Sequence, residues 1–210
     1  MKKGVVSTIS LVLIVLVVLA LVAIAYVWGM PLIEKRTSTV NYASAENFMI
    51  RLDKAITDIV SAGGGQEEIK IPFGSVIVKP DGLEDPDNNS LIIEFVLPQP
   101  LAIDRSVIYI GSVSFSDVDR DTGVYGQSSP GVMTLTTSHI ADEFLYRIKL
   151  HYRDLETFTA PIRGYKVAVR SSKPAGASSV VVSFGSTETL PGASPSGGDL
   201  TRTFVDINVY

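Results

Sequence analysis

Asp117, Asp119 and Asp121 alternate along the chain and are followed by Thr122 and Gly123. Alternating carboxylates suit a hard cation such as Ca²⁺, which takes about six to eight oxygen ligands. The three are therefore candidate calcium ligands. A helix–loop–helix calcium loop counted from Asp117 would place glycine sixth and glutamate twelfth. Here glycine is seventh, and Ser128 stands twelfth. The competing reading is an acidic hairpin turn. Asp81, Glu84, Asp85 and Asp87 form a weaker second acidic loop. Asn88-Asn89-Ser90 in that loop is an N-x-S acceptor for a glycan on Asn88. The only histidines are His139, in a segment expected to be a loop, and His151, on a strand. Neither sits in a Ser/His/Asp arrangement or an H-E-x-x-H helix. Gly63-Gly64-Gly65 follows a helical pattern rather than a strand, so it reads as a stop signal and not a phosphate cradle. These residues predict no catalytic centre and no cofactor beyond the candidate Ca²⁺.

The elements that must carry these residues are mostly strands. Candidates are 69–79, 91–97, 106–116, 131–137, 143–153, 163–170, 178–184 and 201–209, separated by turn-rich stretches. The clearest strand places Phe144, Tyr146, Ile148, Leu150 and Tyr152 on one face. Arg147, Lys149, His151 and Arg153 lie on the other. That basic stripe reads as a solvated sheet face, or as a contact for an acidic neighbouring subunit or a charged glycan. Ahead of the strands, Ala45, Phe48, Met49, Leu52, Ile56, Ile59 and Val60 mark one face of an amphipathic helix. The fold class expected is α+β: a long N-terminal hydrophobic helix followed by an antiparallel, immunoglobulin-like β-sandwich.

The first thirty residues are of another kind. Met1-Lys2-Lys3-Gly4 is a short basic head, and Val5 to Met30 follows as an apolar run broken only by Ser7, Thr8, Ser10 and Gly29. As a helix that run measures about 39 Å at about 1.5 Å per residue, enough for a bilayer core of about 30 Å. Tyr26 and Trp28 sit at its outer end, where aromatic belts form. Gly29 and Pro31 predict a kink or break there. Three readings compete: a helix trimmed just before Val5, an uncut membrane anchor, and a secretory signal cut near Ala23-Ile24-Ala25.

The words Lys2-Lys3-Gly4 and then Val5-Val6-Ser7-Thr8-Ile9 resemble the class III signal of archaeal type IV pilins and archaellins. Bacterial type IV pilins usually carry glutamate at the fifth mature residue, where this chain has Ile9. The resemblance covers residues 1–30. It implies a processing site at Lys3, Gly4 and Val5, read by a prepilin peptidase. It implies a cell-surface filament whose subunits polymerise through the helix, with an assembly platform as partner and the membrane as the site of residence before assembly. Adhesion or attachment is the role it suggests. An archaellum or minor pilin component is implied equally. The alternative outside the family is a single-pass, membrane-anchored extracellular β-sandwich that binds a partner. The domain plan is then a leader over 1–4, the apolar helix over 5–30, a kinked continuation and amphipathic helix over 31–65, and a β-sandwich over 66–210.

Bulk composition agrees with this plan. A chain of 210 residues holds the helix and one ordinary domain. It has no cysteine, which excludes disulfides and thiolate chemistry. The net charge is −4, and losing Lys2 and Lys3 would make it −6. An acidic surface argues against nucleic acid as a partner.

Overall fold

The computed structural model describes residues 3–82, 84–100, 108–110, 122–141 and 143–210. The chain divides into two compact units, Met1–Val40 and Asn41–Tyr210. One helix, α1 (Lys3–Ala62), runs through both. It passes Gly29 and Pro31 without interruption, so the break expected there does not occur. Proline removes one hydrogen bond and costs about 3 kcal/mol in a helix interior. Ending the helix would strand about four carbonyls on one side of the gap and about four amides on the other.

The end of α1 is set where the sequence indicated. Gly63 adopts φ 64°. The Gly63 N–H donates to the Val60 carbonyl at 3.2 Å and the Gly64 N–H to the Ile59 carbonyl at 3.3 Å. This is the paired glycine cap that closes a helix with a left-handed residue.

Among the described residues twelve strands follow: β1 (Gln66–Lys70), β2 (Ser75–Lys79), β3 (Ser90–Leu97), β4 (Ile108–Ile110), β5 (Thr122–Val124), β6 (Gly131–Ile140), β7 (Glu143–Tyr152), β8 (Asp154–Glu156), β9 (Arg163–Arg170), β10 (Ala175–Gly176), β11 (Ser179–Leu190) and β12 (Asp199–Val209). They form two six-stranded sheets. The first has the order β1-β11-β12-β9-β8-β5 and the second β10-β2-β3-β7-β6-β4. The sheets are largely antiparallel. Two pairs depart from the antiparallel expectation, since β9 runs parallel to β12 and β5 parallel to β8.

The stretch expected as one strand over 69–79 is split between the two sheets. Ile69 pairs with Val180 in the first, and Val76 with Ile93 in the second. Pro72 lacks a donor for a ladder. Gly74 has φ 78° and lies so close to the Glu94 carbonyl that a side chain there would collide with backbone.

A single core joins the C-terminal part of α1 to both sheets. Phe48, Met49, Leu52 and Ile56 contribute from the helix, Leu91, Ile93, Tyr146 and Ile148 from the second sheet, and Val169, Val182, Val205 and Ile207 from the first. The helical stripe read from the sequence is the face that is buried. In β7 the alternation also holds, with Tyr146, Ile148, Leu150 and Tyr152 inward. Phe95 stacks on Tyr146 at 5.5 Å between ring centres, an offset pairing that adds to the burial.

Candidate functional site: the exposed apolar helix

The Met1–Val40 unit holds the strongest candidate. Its helix carries no charged residue from Gly4 to Ile33. An 18-residue window reaches a mean hydropathy of 3.1, and none of it is buried. Leucines, valines and isoleucines from Leu11 to Ile24 are exposed around the whole helix, and Trp28 is 83% exposed. Fully burying each such side chain stabilises by about 1.5–3 kcal/mol relative to water. A helix apolar on every face is not a surface element of a soluble fold. It is suited to lipid, or to copies of itself. All its backbone groups can be satisfied within the helix in either setting. Lys3, Gly4 and Val5 lie in the first turn of α1. Glu34, Lys35 and Arg36 mark the other end of the uncharged segment.

The acidic loop and the basic stripe turn out to belong to one network. Lys79 pairs with Asp85 at 2.8 Å, Lys149 with Asp87 at 2.8 Å, and Lys166 with Asp81 at 2.9 Å. Arg147 donates from Nε to Glu94 at 2.8 Å. The loop carboxylates are thus turned toward separate cations on β2, β7 and β9 and do not converge. Among the described residues no group of three or more His, Asp or Glu is placed to hold a metal. Asp117, Asp119 and Asp121 lie outside the described residues.

The stripe is a solvated face matched to acids of its own chain. Arg153 departs from it and is buried, with Nε donating to the Ser129 carbonyl at 3.2 Å. Exposed pairs of this kind contribute about 0–1 kcal/mol. Arg147→Ala is accordingly expected to shift the melting temperature by less than about 4 °C, since 1 kcal/mol moves a domain this size by about 2–4 °C. A larger drop by calorimetry would show that the network acts cooperatively.

The histidines are both on strands. His139 is in β6, not in a loop, with its ring 4.9 Å from that of Phe144. His151 lies in β7 with Nδ1 3.2 Å from the Asn88 carbonyl oxygen. Burial holds its pKa below the usual histidine range, although the Asn88 contact opposes this.

Asn88 itself is half-buried, and its N–H donates to the Asp85 carbonyl at 3.0 Å. The next residue, Asn89, is fully buried with φ 50°. Its Nδ2 donates to the carbonyls of Tyr152 and Val167, both at 2.8 Å, and its Oδ1 accepts from the Val169 N–H at 2.9 Å. Tyr152 is in one sheet and Val167 and Val169 are in the other, so this side chain ties the two together. Ser90, the sequon hydroxyl, is buried and donates to the Asp87 carbonyl.

A second tie went unseen in the sequence. The Tyr152 hydroxyl donates to Asp53 Oδ1 at 2.8 Å. Asp53 belongs to the stretch of α1 within the β-rich unit. Burial pushes its carboxyl above the usual range, and the Tyr152 hydrogen bond opposes this only in part. A raised folded pKa means the fold binds the proton better than the unfolded chain does. The stabilising effect is present at low pH and lost as pH rises through the folded value. Asp53→Asn keeps an acceptor for Tyr152 without the buried charge. Its melting temperature is therefore expected to gain on that of the native chain as pH rises from 3 to 7. A variant less stable than native at pH 7 would show that the charge itself is needed.

No protein-family model, curated protein or solved structure matches this chain.

Proposed function

We propose that this chain is the structural subunit of an archaeal type IV pilus-like surface filament. Met1 to Gly4 are removed by a prepilin peptidase, and the apolar helix passes from the membrane into a filament core. The observation that carries this reading is the all-round exposure of Leu11 to Trp28, in a chain whose β-rich unit has a core that draws on α1 from Tyr42 onward. The exposed segment contributes nothing to that core, so its composition answers to an environment outside the single chain.

Assembly then exchanges one apolar surrounding for another. Removal of Lys2 and Lys3 takes away charges that would be costly to bury among packed helices. In this reading the two sheets form an immunoglobulin-like sandwich on the outer sheath, and the role is attachment, not catalysis. Calcium at Asp117, Asp119 and Asp121 and a glycan on Asn88 remain parts of the same proposal.

Intact mass and N-terminal sequence of the protein from its native host test it. A mature chain beginning at Val5, recovered with filaments sheared from cells, is the expected result. A chain beginning at Met1 and staying in the membrane fraction would overturn it in favour of a single-pass anchor that presents a binding domain. A start near Tyr26 would make the domain a secreted one.

A further inference from the structure

A cavity of about 540 Å³ opens within the Asn41–Tyr210 unit, between the last turn of α1 and one end of the first sheet. It lies within the range of about 300–1,000 Å³ typical of small-molecule sites. Tyr125 and Tyr165 line it and stack on each other at 4.0 Å, with 21° between ring planes. Tyr125 is nonetheless 50% exposed, so much of its ring remains open to a ligand. Thr57, Ser61, Thr201 and Thr203 also line the cavity, with Val60 and Leu155 as apolar wall, and the Thr203 hydroxyl lies 3.4 Å from that of Thr187. Among the described residues Lys166 is the one charged residue in the lining, and Asp81 and Asp154 hold its ammonium at 2.9 and 3.6 Å.

This combination selects a chemistry. A free acid would meet a lysine already neutralised by two carboxylates. A purely aliphatic ligand would make no use of the hydroxyl-bearing side chains in the lining. A neutral sugar presents both an apolar C–H face and a rim of hydroxyls that donate and accept. Its C–H face suits the tyrosine ring, and its rim suits the threonines and serine.

We infer that this cavity is a binding site for a neutral saccharide. The inference does not rest on the filament reading, because every residue that lines the cavity lies in the Asn41–Tyr210 unit.

The test is saturation-transfer NMR and calorimetry on the full chain held in amphipol, with maltose, cellobiose and N,N′-diacetylchitobiose as probes and glucuronic acid as the charged comparator. At least one neutral disaccharide is expected to bind with a Kd of roughly millimolar order, a free energy near −4 kcal/mol, and more tightly than glucuronic acid. Tyr125→Ala should weaken that binding about tenfold while leaving the melting temperature close to native, because the ring is half in solvent. Thr203→Val keeps the shape, removes one hydroxyl, and should weaken binding even if Tyr125→Ala fails to fold. No saturable binding of any neutral probe would overturn the inference. So would preference for glucuronic acid, or binding unchanged in both variants. Filament formation is read separately by electron microscopy, so loss of sugar binding in intact filaments counts against the site alone.

Discussion

On the proposed function, Gly4→Leu is expected to leave the precursor at its full mass and to abolish surface filaments. The residue before the cut must present its carbonyl to a protease while the apolar helix begins one residue later. Glycine brings no side chain to that point, and leucine there extends the apolar run into the basic head. The expected readout is a mass higher by the four leader residues and full retention in the membrane. The uncut product keeps Lys2 and Lys3 ahead of the apolar run, and an unpaired ammonium in a packed apolar core is costly. Filament loss thus follows from lost processing. The membrane-anchor alternative expects no change in mass, location or morphology. Filaments assembled from uncut Gly4→Leu chains would separate the two steps and sink the processing argument alone.

Asn89→Ala unfolds or nearly unfolds the β-rich unit. Three hydrogen bonds disappear at once, leaving the Tyr152 and Val167 carbonyls and the Val169 N–H without the side chain that satisfies them. Each buried group left unsatisfied costs about 1–3 kcal/mol, and alanine at φ 50° adds about 1–2 kcal/mol of left-handed strain. Taken together the loss is about 4 kcal/mol or more, against a total domain stability of about 5–15 kcal/mol. A fall of at least about 10 °C in melting temperature is expected on the usual scaling for a unit of this size.

Asn89→Gly separates the two contributions, because glycine removes the bonds but accepts the positive φ. It should lie between native and Asn89→Ala. Asn89→Asp should be no rescue, since an oxygen would replace the donor that faces two carbonyls. A fall of only a few degrees for Asn89→Ala would mean that water replaces the side chain and that the sheets are held by the core alone.

Both of these residues were visible in the sequence, but for different reasons and to different depth. The proposed role of Gly4 rests on a local pattern: basic head, glycine and apolar run are consecutive in the sequence, and no folding is needed to bring them together. Asn89 was legible only as the middle of Asn88-Asn89-Ser90, which drew the eye to its neighbour. Its partners are 63 to 80 residues away along the chain, and no periodicity reports a contact of that kind. The same holds for Asp53, whose partner Tyr152 is 99 residues distant. A carboxylate on the polar side of a helical pattern looks solvated until the tyrosine is placed against it.

The sequence by itself determined the segments whose structure depends on period and composition. The apolar run is a matter of composition, the buried stripe from Ala45 to Ile59 and the alternation of β7 are repeats of 3.6 and 2 residues, and the stop at Gly63 rests on glycine's freedom to take a positive φ. It also determined that one long helix precedes a strand-rich domain. The tertiary structure alone decided which strands are neighbours. It alone made β9 and β12 parallel, sent the two halves of the 69–79 stretch into different sheets, and turned the acidic loop toward lysines on β2, β7 and β9. It also set Tyr125 against Tyr165 beside a cavity. Each of these joins residues far apart in the chain, and their pairing follows from the packing of a whole core rather than from the preference of any one segment.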